Sequence, residues 1–129
     1  MTPDDMQQSV KTPLEMARRL DEYWSPRVIA EVDDSYVKVA KVKGTLGWHA
    51  HAGEDELFLV LSGQLVIETR DGAVRLGPGQ MHVVPKGVEH NPVAEEECCL
   101  LLFERKSTAH TGDTVTPFTR SIEEQLRAR

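Results

Sequence analysis

The sequence predicts an all-β protein, an antiparallel sandwich or barrel, on three observations. Short apolar runs recur between residues 28 and 104. Turn clusters separate them about every six to ten residues: Asp33-Asp34-Ser35, Ser62-Gly63, Asp71-Gly72, Gly77-Pro78-Gly79 and Pro85-Lys86-Gly87. No helical periodicity intervenes in that span. Many short strands with regular turns bury their apolar faces by closing on one another.

Taken in order, residues 1–11 are polar and read as a flexible arm. Thr12-Pro13-Leu14-Glu15 has the pattern of a helix start, with Thr12 to cap, Pro13 at the first helical position and Glu15 to complete a capping box. The helix is expected to reach Tyr23 or Trp24 and to stop before Pro26. Its stripe of Leu14, Ala17 and Leu20, with Met16, needs a surface to pack on. Trp24 reads as core. Strands follow at 28–32, 36–42, 57–61, 65–69, 73–76, 81–84 and 98–104. The runs Leu57 to Leu61 and Cys98 to Phe103 are apolar on both faces. One face lines the barrel; the other must meet a helix, another sheet or a second subunit, and a homodimer is expected. Glu95-Glu96-Glu97 reads as a solvated turn, Thr111-Gly112-Asp113 as a turn, and Thr116-Pro117-Phe118 as an extended link. Ser121 with Glu124 opens a short helix, to be docked by Ile122 and Leu126. Residues 12–129 are read as one domain with its barrel core at about 28–105.

The formal net charge of −6 argues against a nucleic-acid partner, which requires a basic footprint. No run approaches the roughly 18 apolar residues of a membrane span. The polar, acidic N-terminal stretch lacks a secretory pattern, and a cytoplasmic protein is expected. The adjacent Cys98 and Cys99 point to opposite faces of a strand and read as buried, reduced thiols.

Chemistry concentrates in residues 44–63. His49 and His51 are two apart, so on an extended chain both imidazoles project to one side. Glu54, Asp55 and Glu56 follow in a turn, each a candidate carboxylate. His90 comes just after the Pro85-Lys86-Gly87 turn. Imidazole and carboxylate together suit Mn, Fe, Co, Ni, Cu or Zn and fit calcium poorly. His82 reads as a sheet residue, His110 as a loop residue, and Trp48 as packing on the side opposite His49. Arg70, Arg75 and Lys86 lie at strand ends or turns, and no Lys or Arg motif is read inside the barrel strands.

These residues resemble the two motifs of the cupins. The first is Gly, H-x-H, a Glu after three or four residues and a Gly after six more; here it is Gly44, His49-Ala50-His51, Glu56 and Gly63. The second is Gly, five residues, Pro-x-Gly, two residues, His, three residues, Asn; here it is Gly79, Pro85-Lys86-Gly87, His90 and then Ala94 in place of Asn. Gly44 stands one residue closer to His49 than the family pattern. The likeness covers Tyr36 to Glu104. It implies a jelly-roll barrel, the antiparallel double-stranded β-helix, flanked by the N-terminal helix and a short C-terminal one. It also implies a divalent transition metal (Mn, Fe, Ni, Zn or Co) held by His49, His51, Glu56 and His90. Glu56 ranks above Glu54 and Asp55 through its spacing to Gly63. Open metal positions would serve a small polar organic molecule in isomerase-, epimerase-, lyase- or oxygenase-like chemistry. The alternative is a metal- or small-molecule-binding module without turnover. No further catalytic residue is assigned.

Overall fold

The computed structural model describes residues 2–127 and builds them into a jelly-roll of seven strands with three short helices. In chain order these are α1 (Pro3–Gln8), α2 (Pro13–Arg18), β1 (Arg27–Val32), β2 (Ser35–Thr45), β3 (Glu56–Ser62), β4 (Leu65–Thr69), β5 (Gly72–Leu76), β6 (Met81–Val84), β7 (His90–Arg105) and α3 (Ile122–Gln125). All pairings are antiparallel, in the order β1-β2-β7-β3-β6, with β4 joining β5 to the first half of β7.

Strand alternation decides what goes inside. Opposite Phe58 on β3 stand Leu102 of β7 and His82 of β6, and opposite Lys38 on β2 stands Leu102 again. The inward row therefore reads Lys38, Ala40, Val42 on β2, Glu56, Phe58, Val60 on β3, and Cys98, Leu100, Leu102, Glu104 on β7. Its apolar members form one buried cluster with Trp24, Leu65, Ile67, Leu76 and Val84. The outward residues Val39 and Cys99 meet a second cluster, where Ala17 of α2 and Leu20 just after it lie on the sheet beside Ile29. Cys98 and Cys99 are both buried, unpaired and on opposite faces. Farther along the same outer face no helix follows, and Met81, Val83 and Phe103 are exposed. No helix among the described residues is long and apolar enough to cross a membrane.

Several local expectations change. Residues 3–8 of the arm form α1, closed by a Thr2–Asp5 capping box and without a buried residue. α2 ends at Arg18, and Thr12 makes no side-chain cap bond. Beyond the helix, β2 captures Trp24. Its backbone N–H donates to the Lys41 carbonyl at 3.0 Å and its indole N–H to the Lys43 carbonyl at 2.8 Å. Those bonds hold Trp24 at φ 58°, a left-handed conformation costing a bulky residue about 1–2 kcal/mol and incompatible with continued helix. β7 begins at His90, eight residues earlier than expected. Glu95 to Glu97 are exposed as expected, but they form a bulge inside β7 rather than a turn. Val42 pairs with Cys98 and Gly44 with Ala94, so three residues face Lys43 alone. Gly63 sits against that bulge at φ +84°; a Cβ there would lie 2.7 Å from the Glu97 carbonyl oxygen, so only glycine fits. Residues 116–119 close a turn instead of running extended, through Thr119 N–H to the Thr116 carbonyl. α3 has the expected Ser121–Glu124 capping box, but it docks through buried Gln125 while Leu126 is exposed.

Candidate metal centre

Three separate segments pin the H-x-H stretch. His49 and His90 exchange both backbone hydrogen bonds, at 3.0 and 2.9 Å. Ala50 accepts from the Asp113 N–H at 3.1 Å and donates to the Asp113 carboxylate at 3.2 Å. The His51 carbonyl accepts from the Gly87 N–H at 2.8 Å. Buried Asn91 sets the loop before it: its side-chain oxygen accepts from the Thr45 hydroxyl and the Gly47 N–H, both at 2.8 Å, and its amide donates to Glu68. The three neighbouring carboxylates divide their work. Glu54 accepts from Ser107, Asp55 accepts from the Lys86 N–H at 2.9 Å, and Glu56 alone turns into the barrel.

This framework brings His49, His51, Glu56 and His90 together, all buried, with one potential ligand atom from each lying within 4.8 Å of the others. The rings of His49 and His90 are 4.4 Å apart between centroids, and those of His51 and His90 5.8 Å. Nδ1 of His49 lies 2.9 Å from the Gly47 carbonyl, and Nδ1 of His90 2.9 Å from the Val88 carbonyl. A carbonyl can only accept, so each Nδ1 carries the proton and each Nε2 presents a lone pair. Nε2 of His51 and of His90 each lie 3.4 Å from Glu56 Oε1, beyond good hydrogen-bond length. These three atoms are buried and have no hydrogen-bond partner. Buried polar atoms are seldom left so. Converging lone pairs from imidazole and carboxylate are the donor set of a transition-metal ion, and the residues fit one.

The electrostatics follow from burial and proximity. Burial lowers the proton affinity of His49, with the neighbouring imidazoles adding to it. Burial opposes protonation of His51 as well, but the close carboxylate of Glu56, with the charges of Glu54 and Asp113, outweighs it and raises its pKa. Burial works against the Glu56 carboxylate, yet contacts with His51 and His90 hold it well below the usual carboxylate range.

A family model described as the cupin domain matches residues 35–104 of the chain. The chain is a cupin. A curated relative, the uncharacterized protein YdbB of Bacillus subtilis (strain 168), is 36% identical over 94 residues, 72% of this chain and 83% of its own. The crystal structure of a cupin-2 domain containing protein from Shewanella frigidimarina NCIMB 400 superposes with a TM-score of 0.76 at 44% identity, covering 78% of this chain and 99% of that one. Hydroquinone 1,2-dioxygenase from Sphingomonas sp. TTNP3, with 4-hydroxybenzoate bound, shares the fold at a TM-score of 0.68 and 17% identity, over 82% of this chain and 79% of that one.

Both motif departures in this cupin have a structural setting. Gly44 lies at the register shift between β2 and β7, and Ala94 is buried in the barrel core. Beside the four residues is a cavity of about 30 Å³, lined by His49 and Glu56 with Trp24, Phe58, Leu102 and His110 among others. It has room for about two waters.

Sequence reading missed three polar residues here. Lys38, not singled out in the sequence, points into the barrel; its Nζ lies 3.5 Å from Glu104 Oε2, and both side chains are 2% exposed. Its charge is committed to that carboxylate. Glu104 in turn touches Glu56, and burial together with the Glu56 charge raises its pKa well above normal, against the pull of Lys38. The signal existed: Lys38 shares period-two parity with Ala40 and Val42. His110, read as a loop residue, reaches the cavity from beyond the last strand, which no local pattern indicates. His82 is half-buried on β6, outside the cluster. Trp48 packs under Arg70, whose guanidinium is 3.8 Å from its ring centre, in keeping with a packing role.

Proposed function

We propose that this cupin binds one divalent transition metal through His49, His51, Glu56 and His90, and that it is a metal-dependent enzyme acting on a small polar organic molecule. The observation that carries the reading is the set of buried, partnerless atoms on His51, Glu56 and His90, next to rings already fixed through Nδ1. A metal of this kind supplies Lewis-acid polarisation of a carbonyl or carboxylate, or an O₂ site where it is iron, which suits isomerase-, epimerase- or oxygenase-like reactions. The chain's own residues orient the imidazoles, keep Glu56 ionised and exclude bulk water from the cavity. A second reading, a binding module without turnover, draws support from the smallness of that cavity. Two free thiols, Cys98 and Cys99, suit the cytoplasm. The outer face of β7, β3 and β6, with Phe103, Val83 and Met81 exposed, is a fitting surface for a second copy and supports the homodimer.

Metal titration followed by thermal melting tests the central reading. The wild type is expected to gain melting temperature with Zn, Mn, Fe, Co or Ni, since an ion that binds only the folded chain stabilises it. His51→Ala should lose that gain, with affinity down on the order of 100-fold or more, in excess of the 10–100-fold typical of groups that only support a ligand. A wild type that gains nothing with any of these metals refutes the reading. Aerobic and anaerobic substrate screens of the loaded protein then separate enzyme from module.

A further inference from the structure

His110 belongs to neither motif, yet it lines the cavity together with His49 and Glu56. The segment that carries it is fastened across this end of the barrel from two sides. Asp113 exchanges hydrogen bonds with Ala50, in the middle of the H-x-H stretch. Arg120 Nε donates to Ser25 Oγ at 3.2 Å on the other side. Between them Gly112, at φ +58°, presses so closely on Ala50 that any Cβ would overlap its carbonyl oxygen. His110 also borders a surface cavity of about 350 Å³, so this residue stands between the barrel interior and solvent.

The hydrogen bonding fixes the ring's tautomer. The backbone N–H of Arg120 donates to His110 Nδ1 at 3.0 Å. An amide N–H cannot accept, so Nδ1 holds a lone pair and the neutral ring carries its proton on Nε2. This is the opposite tautomer from His49 and His90. Burial, with Lys38 and Arg120 nearby and against the charge of Glu56, pushes the His110 pKa down to about 4, so the ring is neutral at pH 7. No hydrogen-bond partner for Nε2–H exists among the described residues.

We propose that His110 is a positioning residue of the site: its Nε2–H donates to an acceptor oxygen of a small carboxylate, enolate or other oxyanion held in the cavity beside His49, His51, Glu56 and His90. The inference rests on the metal reading above. It gives the site a donor where the four clustered residues offer acceptors, and so a reason to prefer oxyanions over neutral ligands of equal size.

Two measurements test it. Long-range proton–nitrogen spectra of the histidine-labelled, metal-free protein at pH 7 are expected to show the Nε2–H tautomer for His110 and Nδ1–H for His49 and His90; an Nδ1–H or charged His110 ring overturns the proposal. Cobalt(II)-loaded protein is then titrated with formate, following the visible bands. His110→Phe is expected to keep cobalt affinity and to weaken formate about tenfold, the worth of one hydrogen bond. His110→Gln, which restores an N–H, should recover most of that loss. Unchanged formate affinity in His110→Phe, or cobalt affinity that falls with it, overturns the positioning role alone. A wild type that takes up no cobalt overturns the metal reading and this role together.

Discussion

The two ends of the barrel interior are built from the same strands and differ in what alternation places there. At one end Val60, Leu65, Ile67 and Cys98 close into a plug, none of them more than 1% exposed. At the other, three imidazoles gather round the Glu56 carboxylate, with the buried Lys38–Glu104 pair on neighbouring strands and a small cavity lined by His49 and Glu56 beside them. Burying such groups is costly unless they are paired or bind an ion. The apolar plug and the α2 contact on the outer face supply the stability that lets the polar end carry partnerless atoms. Stability and chemistry are thus held by different residues of the same strands, and substitutions should separate them.

The largest effect belongs to the plug. Ile67→Ala should cost about 3–4 kcal/mol by urea denaturation and leave metal uptake per folded chain unchanged. Lost metal uptake in the folded fraction would mean that the two ends are coupled.

Lys38→Met comes next, at about 3 kcal/mol near pH 8, because it strands Glu104 beside Glu56. The cost should shrink towards pH 5. Glu104 has a raised folded pKa, so above its unfolded value of 4.5 the folded state binds more protons than the unfolded state. Stability from this group is therefore present at low pH and lost as pH rises through the folded pKa. Removing Lys38 raises that pKa further and steepens the fall, whereas Glu104→Gln should flatten it. Urea midpoints of the metal-free proteins at three pH values check the sign.

Asp55→Ala is smaller, at about 1 kcal/mol for the lost bond to the Lys86 N–H. It should also weaken metal binding about tenfold by loosening the turn before His90, measured by competition with a chelator. The smallest effect is in the plug again. Burial pushes the Cys98 thiol up to about 12, so the native protein should resist alkylation at pH 8 and react only when unfolded.

Much of the barrel was legible because inward and outward residues alternate. The two-faced run from Cys98 predicted a covered outer surface, and Ala17 of α2 with Leu20 just after it covers part of it. The H-x-H pair was legible because its spacing sets its direction, and Glu56 was ranked above Glu54 and Asp55 through the resemblance to the family motif. What escaped depends on contacts between distant segments. Pro92 and the acidic triplet disguised the first half of β7, where Pro92 sits opposite Ile67 and the triplet bulges outward. The left-handed turn at Trp24 is held by carbonyls of β2. His110 is aimed by Arg120, ten residues on, and by a strap seated on Ala50. Strand periodicity says nothing about either.

X-ray absorption of the protein loaded with zinc or cobalt tests most directly whether the four side chains meet on one ion. The account predicts light nitrogen and oxygen donors at about 2.0–2.2 Å, three of them showing imidazole scattering, and no sulfur. A shell with fewer than two imidazoles, or one containing sulfur from Cys98 or Cys99, would contradict it.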